Sequence, residues 1–193
     1  MRKKDKWNRI YRNKTQDQPN PLAPQPCSLL AQYHYLLPPQ GNALDLACGL
    51  GGNAIFLQEQ GLNTCAWDIS DAAIAQLNDR KLNQLEARVV DIEQQTLPEK
   101  SFDIIVVSGY LHRPLCSAII NALRVGGLLF YQTFHLHKLS SSGPSNPDFL
   151  LQNNELLELF SELTPLIYQQ LGSQGDLSQG ERNLAGLIAE RPF

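Results

Sequence analysis

No apolar run in the 193 residues approaches the roughly 20 that a membrane helix needs. The basic start, MRKKDKWNRIYRNK, lacks the apolar stretch of a secretory signal. Cysteine is sparse: Cys27, Cys48, Cys65 and Cys116 stand far apart with no CxxC pair. That spacing argues against a disulfide framework and against a zinc cage, and it predicts reduced thiols in the cytoplasm. There is no internal repeat and no sustained heptad. The balance of 42% hydrophobic and 18% charged residues excludes collagen-like, coiled-coil, disulfide-scaffold and wholly disordered chains. What is left is a globular chain long enough for one ordinary domain with a sizeable core.

The net charge of −3 conceals an asymmetry. Residues 1–14 carry +6, and the rest of the chain carries −9. An acidic body makes a poor nucleic-acid surface, because duplex affinity comes largely from neutralising phosphates. The basic segment is either a solvated tail or a contact for an anionic substrate or for the acidic body itself. Trp7, Ile10 and Tyr11 fall on one helical face of it. Residues 16–26, QDQPNPLAPQP, read as an extended connector. We therefore divide the chain into an arm with its connector (1–26) and a single domain (27–193).

From Cys27 a helix is expected to Leu37, ended by Pro38 and Pro39. After Gly41 strands alternate with helices. Strands are expected at 43–47, 64–67, 87–90, 102–108 and 128–134, and helices at 53–60, from a Ser70 cap to about 82, and at 114–123. FDIIVVS (102–108) is the most strand-like stretch, β-branched enough to be buried on both faces. The alternation implies a parallel sheet with right-handed crossovers. A helix at 154–163 and strands at 166–171 and 184–189 then close the sheet with a hairpin.

The chemistry concentrates in Ala43-Leu-Asp45-Leu-Ala47-Cys48-Gly49-Leu-Gly51-Gly52-Asn53, with Asp68 ending the next strand. Glycines at a strand-to-helix turn let backbone approach a ligand closely and expose amide N–H groups. An acid ending the second strand, 19 residues after Gly49, is placed for ribose hydroxyls. Read as G-x-G-x-x-G/A, Gly49, Gly51 and Ala54 fit a dinucleotide site. Read as Asp-x-x-x-Gly-x-Gly, the same residues resemble motif I of class I S-adenosylmethionine-dependent methyltransferases. Asp45 discriminates between the two. A carboxylate beneath the loop opposes a pyrophosphate but suits an ammonium and a sulfonium. Its bland alternative is a turn cap.

The resemblance runs over roughly residues 41–191 in motif order. It implies that Asp45 supports the ligand's amino group, and that Asp91, in VVDIEQ, meets the adenine amino group while Ile92 packs on the ring. Asp91 could instead cap a following short helix. It further implies cofactor contacts from Ala47, Cys48, Gly49, Gly51, Asn53, Asp68, Ile69 and Ser108, the last at the bend after the fourth strand. Many members carry glycine where this chain has Ala47. WNRIYRNK and DLACGLGGNA narrow the resemblance to small bacterial enzymes of the tellurite-resistance and thiol-methyltransferase type. The implied fold is Rossmann-like α/β: a seven-stranded, mostly parallel sheet in the order 3-2-1-4-5-7-6, with one antiparallel strand and helices on both faces.

Methyl transfer from a sulfonium is an in-line displacement in which the protein mainly positions the reactants and excludes water. Candidate catalytic residues lie where strands end: Tyr110, His112 and Arg113 after the fourth, His135 after the fifth. Arg113 could hold an anionic acceptor, and His112 could serve as a base. His135-x-His137 has no third ligand nearby, so no metal is expected. Trp7 and Tyr11 either cover the pocket as a lid or simply pack the arm onto the body. The reading is a cytoplasmic, S-adenosylmethionine-dependent methyltransferase that leaves S-adenosylhomocysteine as product. It acts on a small molecule, an anionic one being compatible with the basic arm, with no nucleic-acid or membrane partner. The alternatives are an NAD(P)-dependent oxidoreductase and a non-catalytic S-adenosylmethionine-binding protein.

Overall fold

The computed structural model describes residues 3–16 and 24–193. Most of the proline-rich connector, residues 17–23, lies outside the described residues. The seven strands are hydrogen-bonded in the order β3-β2-β1-β4-β5-β7-β6. They are β1 (Asn42–Leu46), β2 (Asn63–Asp68), β3 (Leu85–Val89), β4 (Phe102–Ser108), β5 (Leu123–Phe134), β6 (Thr164–Gln169) and β7 (Leu184–Glu190). β1, β2 and β3 pair in parallel, as do β4 and β5, while β7 runs antiparallel to both β5 and β6. No helix among the described residues is long and apolar enough to cross a membrane.

The chain forms two compact units, residues 1–96 and 97–193. In the first, α1 (Lys3–Gln16) realises the helix expected from Trp7, Ile10 and Tyr11. Its exposed side carries Lys6, Arg9 and Arg12. The helix expected over 27–37 is split into α2 (Ser28–Gln32) and a 3-10 turn at His34–Leu36, with only Leu29 and Leu30 fully buried. α3 (Gly52–Glu59) follows the glycine turn, and α4 (Asp71–Asn78) follows β2. Ser70 caps α4, its side chain accepting the N–H of Ala73. α4 stops at Asn78, not near 82, because Lys81 and then Gln84 adopt left-handed backbone at φ 50° and 59°. Cys48, Ala54, Ala66, Ile74 and Leu77 form the buried cluster that joins these helices to the strands.

In the second unit FDIIVVS is the strand the pattern predicts, with Ile104 to Val107 fully buried. α5 (Cys116–Ala122) is preceded by a 3-10 turn at Arg113–Leu115. β5 begins at Leu123, earlier than expected. Pairing slips between Phe102, opposite Leu123, and Ile104, opposite Leu128, so Gly126 and Gly127 sit in a bulge within the strand. α6 (Glu155–Leu159) is half the expected length. It starts from Asn154 in left-handed backbone, and the buried side chains of Phe160 and Leu163 fall in turns beyond it.

Candidate functional site

The first unit gathers the glycine turn, Asp45, Asp68 and α1. In β1 and β2 successive side chains alternate faces, and Asp45 pairs with Ala66, so Asp45 and Asp68 share one face of the sheet. Asp45 is fully buried. It accepts the side-chain N–H of Asn53 at 3.3 Å and the backbone N–H of Ala54 at 3.1 Å, holding the first turn of α3. The turn-capping role is therefore present, and it fixes the carboxylate beneath the loop.

Burial lifts the Asp45 carboxyl from its ordinary 3.8 to about 7; the bonds from Asn53 and Ala54 oppose the shift, and the charge of Asp68 adds to it. Asp68 is also raised by burial, against the N–H groups of Ser70 and Gly49. Those bonds are 2.8 Å from Ser70 to one carboxylate oxygen and 2.9 Å from Gly49 to the other. Tyr11 and Cys48 are pushed up as well, by burial first and then by the two carboxylates. Burial and mutual repulsion thus disfavour negative charge here, and a cationic ligand would relieve both.

The loop owes its shape to left-handed backbone. Ala47 has φ 55° and Gly49 φ 53°. The departure at Ala47 thus places an L-residue where glycine is comfortable, at a cost of roughly 1–2 kcal/mol. At Gly49 the close neighbour is Tyr11: a Cβ there would stand 2.6 Å from the Tyr11 hydroxyl. Tyr11 therefore lies against the turn, its ring stacked on Trp7 at 5.9 Å. Gly52 is needed for a different reason. A Cβ there would stand 2.1 Å from the carbonyl oxygen of Gln25, and the N–H of Cys27 bonds Asn53 at 2.8 Å. Gly52→Ala should push the 24–27 backbone off α3 and cost about 1–3 kcal/mol. A thermal melt reads this, and an unchanged melting temperature would contradict it.

Asp91 is exposed just beyond β3 and accepts the N–H of Glu93 at 3.2 Å. No short helix follows it, only turns, so Asp91 closes a local turn and does not cap a helix. Ile92 beside it is buried, and Ile69 is half-buried between Asp68 and Ser70.

The second unit holds the other candidates. Ser108 ends β4 opposite Gln132, and the Tyr110 carbonyl accepts the hydroxyl of Tyr131 at 3.0 Å. His112 is half-buried and opens the 3-10 turn. Arg113 is committed elsewhere than to an acceptor. It donates from Nε and Nη2 to the two Glu155 oxygens, and from Nη1 and Nη2 to the carbonyls of Asp148 and Leu150 at 2.7 and 3.1 Å. This bidentate pair holds the Glu155 carboxyl below its usual range, against its burial. His135 is fully buried, with Nε2 bonded to the Arg182 carbonyl at 3.0 Å and Nδ1 accepting the His137 N–H at 3.1 Å. Its two nitrogens thus fasten loop segments, which engages both ring atoms of this catalytic candidate with backbone. Sequence reasoning missed Glu155 and Arg182, because such partners are set by tertiary pairing and not by spacing. It also missed Asn8, whose signal is a buried Asn in the middle of a helix, where its propensity is poor.

Residues 43–127 match a family model described as a methyltransferase domain. Among curated proteins, the "Probable S-adenosyl-L-methionine-dependent methyltransferase TehB" of Haemophilus influenzae is 28% identical over 155 residues, covering 72% of this chain. The chain spans about half the length of that relative, 51%. Among solved structures, TehB from Haemophilus influenzae superposes with a TM-score of 0.69 at 20% identity, over 96% of this chain and 67% of that one. An S-adenosylmethionine-dependent methyltransferase from Mesorhizobium loti gives 0.68 at 15% identity, over 86% of this chain and 98% of that one. Strand order and the sequence match over residues 43–127 make the chain similar to class I S-adenosylmethionine-dependent methyltransferase domains. TehB is similar to it in both sequence and fold.

Proposed function

We propose that the protein transfers a methyl group from S-adenosylmethionine to a small-molecule acceptor. The observation that carries this is the pair of buried carboxylates at the glycine turn, with Asp45 lifted to about 7 by burial and further by the charge of Asp68. A nicotinamide dinucleotide would bring its pyrophosphate toward that charge, whereas an ammonium and a sulfonium relieve it.

When bound, S-adenosylmethionine supplies an electrophilic methyl on a sulfonium, already a good leaving group. In this reading Asp68 accepts hydrogen bonds from ribose, Gly49 and Gly51 give backbone close approach, and Asp45 opposes the ligand's positive charge through the first turn of α3. By the family resemblance, Asp91 and Ile92 are the candidates for the adenine, Ser108 for the cofactor's methyl end, Tyr110 for the acceptor and His112 for any base. Catalysis is mainly positioning and exclusion of water. The exposed Lys6, Arg9 and Arg12 on α1 favour an anionic acceptor over a cationic one. The widely spaced cysteines are the basis for reading a cytoplasmic setting.

A product screen with methyl-labelled donor tests the proposal. Label should pass to a small molecule, and binding without any transfer across broad acceptor pools would favour a sensor. We further assign Trp7 and Tyr11 to a lid. Removing residues 1–14 should lower cofactor affinity several-fold and turnover more, because a lid acts mainly on the reaction step. Both quantities unchanged would contradict the lid.

A further inference from the structure

The acid that ends β2 is held by more than its own strand. Its two oxygens accept N–H groups from Ser70 and Gly49. Ser70 is fully buried and its hydroxyl is used twice. It accepts the N–H of Ala73 at 3.2 Å and donates to the side-chain oxygen of Asn8 at 2.7 Å. The same Asn8 oxygen accepts the N–H of Ala72 at 3.2 Å, and the Asp71 carboxylate is held below its usual range by Lys4 first and then by the Asn8 amide. Asn8 is 9% exposed, more buried than the aromatic residues beside it on α1. Lys4 adds an ion pair to Asp71 at 2.8 Å, and Lys3 one to Glu93.

We propose that Asn8 is a positioning residue of the cofactor site. From α1 it fixes the turn 68–72, and through Ser70 it sets the Asp68 carboxylate against Gly49. A helix start leaves backbone N–H groups without intrahelical partners. Here two side chains from distant parts of the chain serve that start, Ser70 on Ala73 and Asn8 on Ala72. The Ser70 hydroxyl has a single hydrogen. Asn8 takes it, which leaves the lone pairs to Ala73 and keeps the Ser70 backbone in place to donate to Asp68. Without Asn8 the hydroxyl rotates freely, a buried donor loses its partner and the acid turn loosens. Docking of α1 and binding at Asp68 are then linked, and each strengthens the other by the same factor. This inference rests on the reading of Asp68 as a cofactor residue.

The test is titration calorimetry of the full chain with S-adenosylhomocysteine, alongside thermal melts. Three proteins are compared: the natural sequence, Asn8→Ala, and the paired exchange Asn8→Asp with Asp71→Asn. The exchange keeps an acceptor at 8 for Ser70 and Ala72 and moves the amide donor to 71. Asn8→Ala should bind about fivefold more weakly, and the exchange should return to within about twofold of the natural sequence. S-adenosylhomocysteine should also slow tryptic cleavage within α1 of the natural protein, and much less in Asn8→Ala. A merely structural Asn8 lowers the melting temperature and leaves affinity alone. Affinity of folded Asn8→Ala equal to that of the natural sequence, or equal protection of α1 in both, overturns the proposal. Failure of the natural sequence itself to bind would overturn the cofactor reading, and this proposal with it.

Discussion

Replacing Asp68 by alanine should weaken S-adenosylmethionine binding tenfold or more. A carboxylate accepting hydrogen bonds from ribose is worth roughly 1.5–3 kcal/mol. The structure adds a second loss. The same carboxylate holds the Gly49 and Ser70 N–H groups, so its removal frees both the glycine turn and the start of α4. Asp68→Asn keeps one acceptor and should fall between alanine and the natural residue. Calorimetry on folded variants decides the matter, and unchanged affinity in Asp68→Ala would remove Asp68 from the site.

The second large effect is on pH. In the ligand-free protein Asp45 is half-protonated near pH 7, because burial lifts its carboxyl to about 7. A cationic ligand favours the ionised form and lowers that value on binding. Affinity for S-adenosylmethionine should therefore rise with pH, by about tenfold between pH 6 and pH 8 if the bound carboxyl stays ionised throughout. Binding should release nearly one proton at pH 6 and almost none at pH 8, read from calorimetry in buffers of different ionisation enthalpy. Asp45→Asn should flatten the profile. The same shift acts on folding with a definite sign. Asp45 ionises at higher pH in the folded than in the unfolded chain, so its contribution to stability is full below pH 4 and is lost as pH rises through about 7. A flat affinity profile from pH 6 to pH 8 would contradict the placement of the ligand's positive charge near Asp45.

The readable parts of this chain were those whose physics is local or periodic. FDIIVVS is apolar on both faces, and it is the strand at 102–108. The run from Asp45 through the glycines to Asp68 announced a strand, a turn and a second strand, and the structure brings those carboxylates to one sheet face. Element ends were harder to read. α4 and α6 stop early because single residues, Lys81 and Phe160, leave the helical region, and their exit depends on what packs nearby. Long-range partners were invisible. Arg113 pairs with Glu155, 42 residues away, and His135 bonds backbone through both ring nitrogens, and spacing announced neither partner. Asn8 was overshadowed by the aromatic stripe next to it, although its bond to Ser70 spans 62 residues.

The central claim is that the buried carboxylates at the glycine turn make a site for S-adenosylmethionine. Its most direct test is calorimetric titration of the full chain, at pH 8, with S-adenosylmethionine, S-adenosylhomocysteine and NADH in turn. The account predicts saturable, one-to-one binding of the first two, lost or strongly weakened in Asp68→Ala, and none of the third. Binding of NADH with neither adenosyl ligand engaged would contradict it.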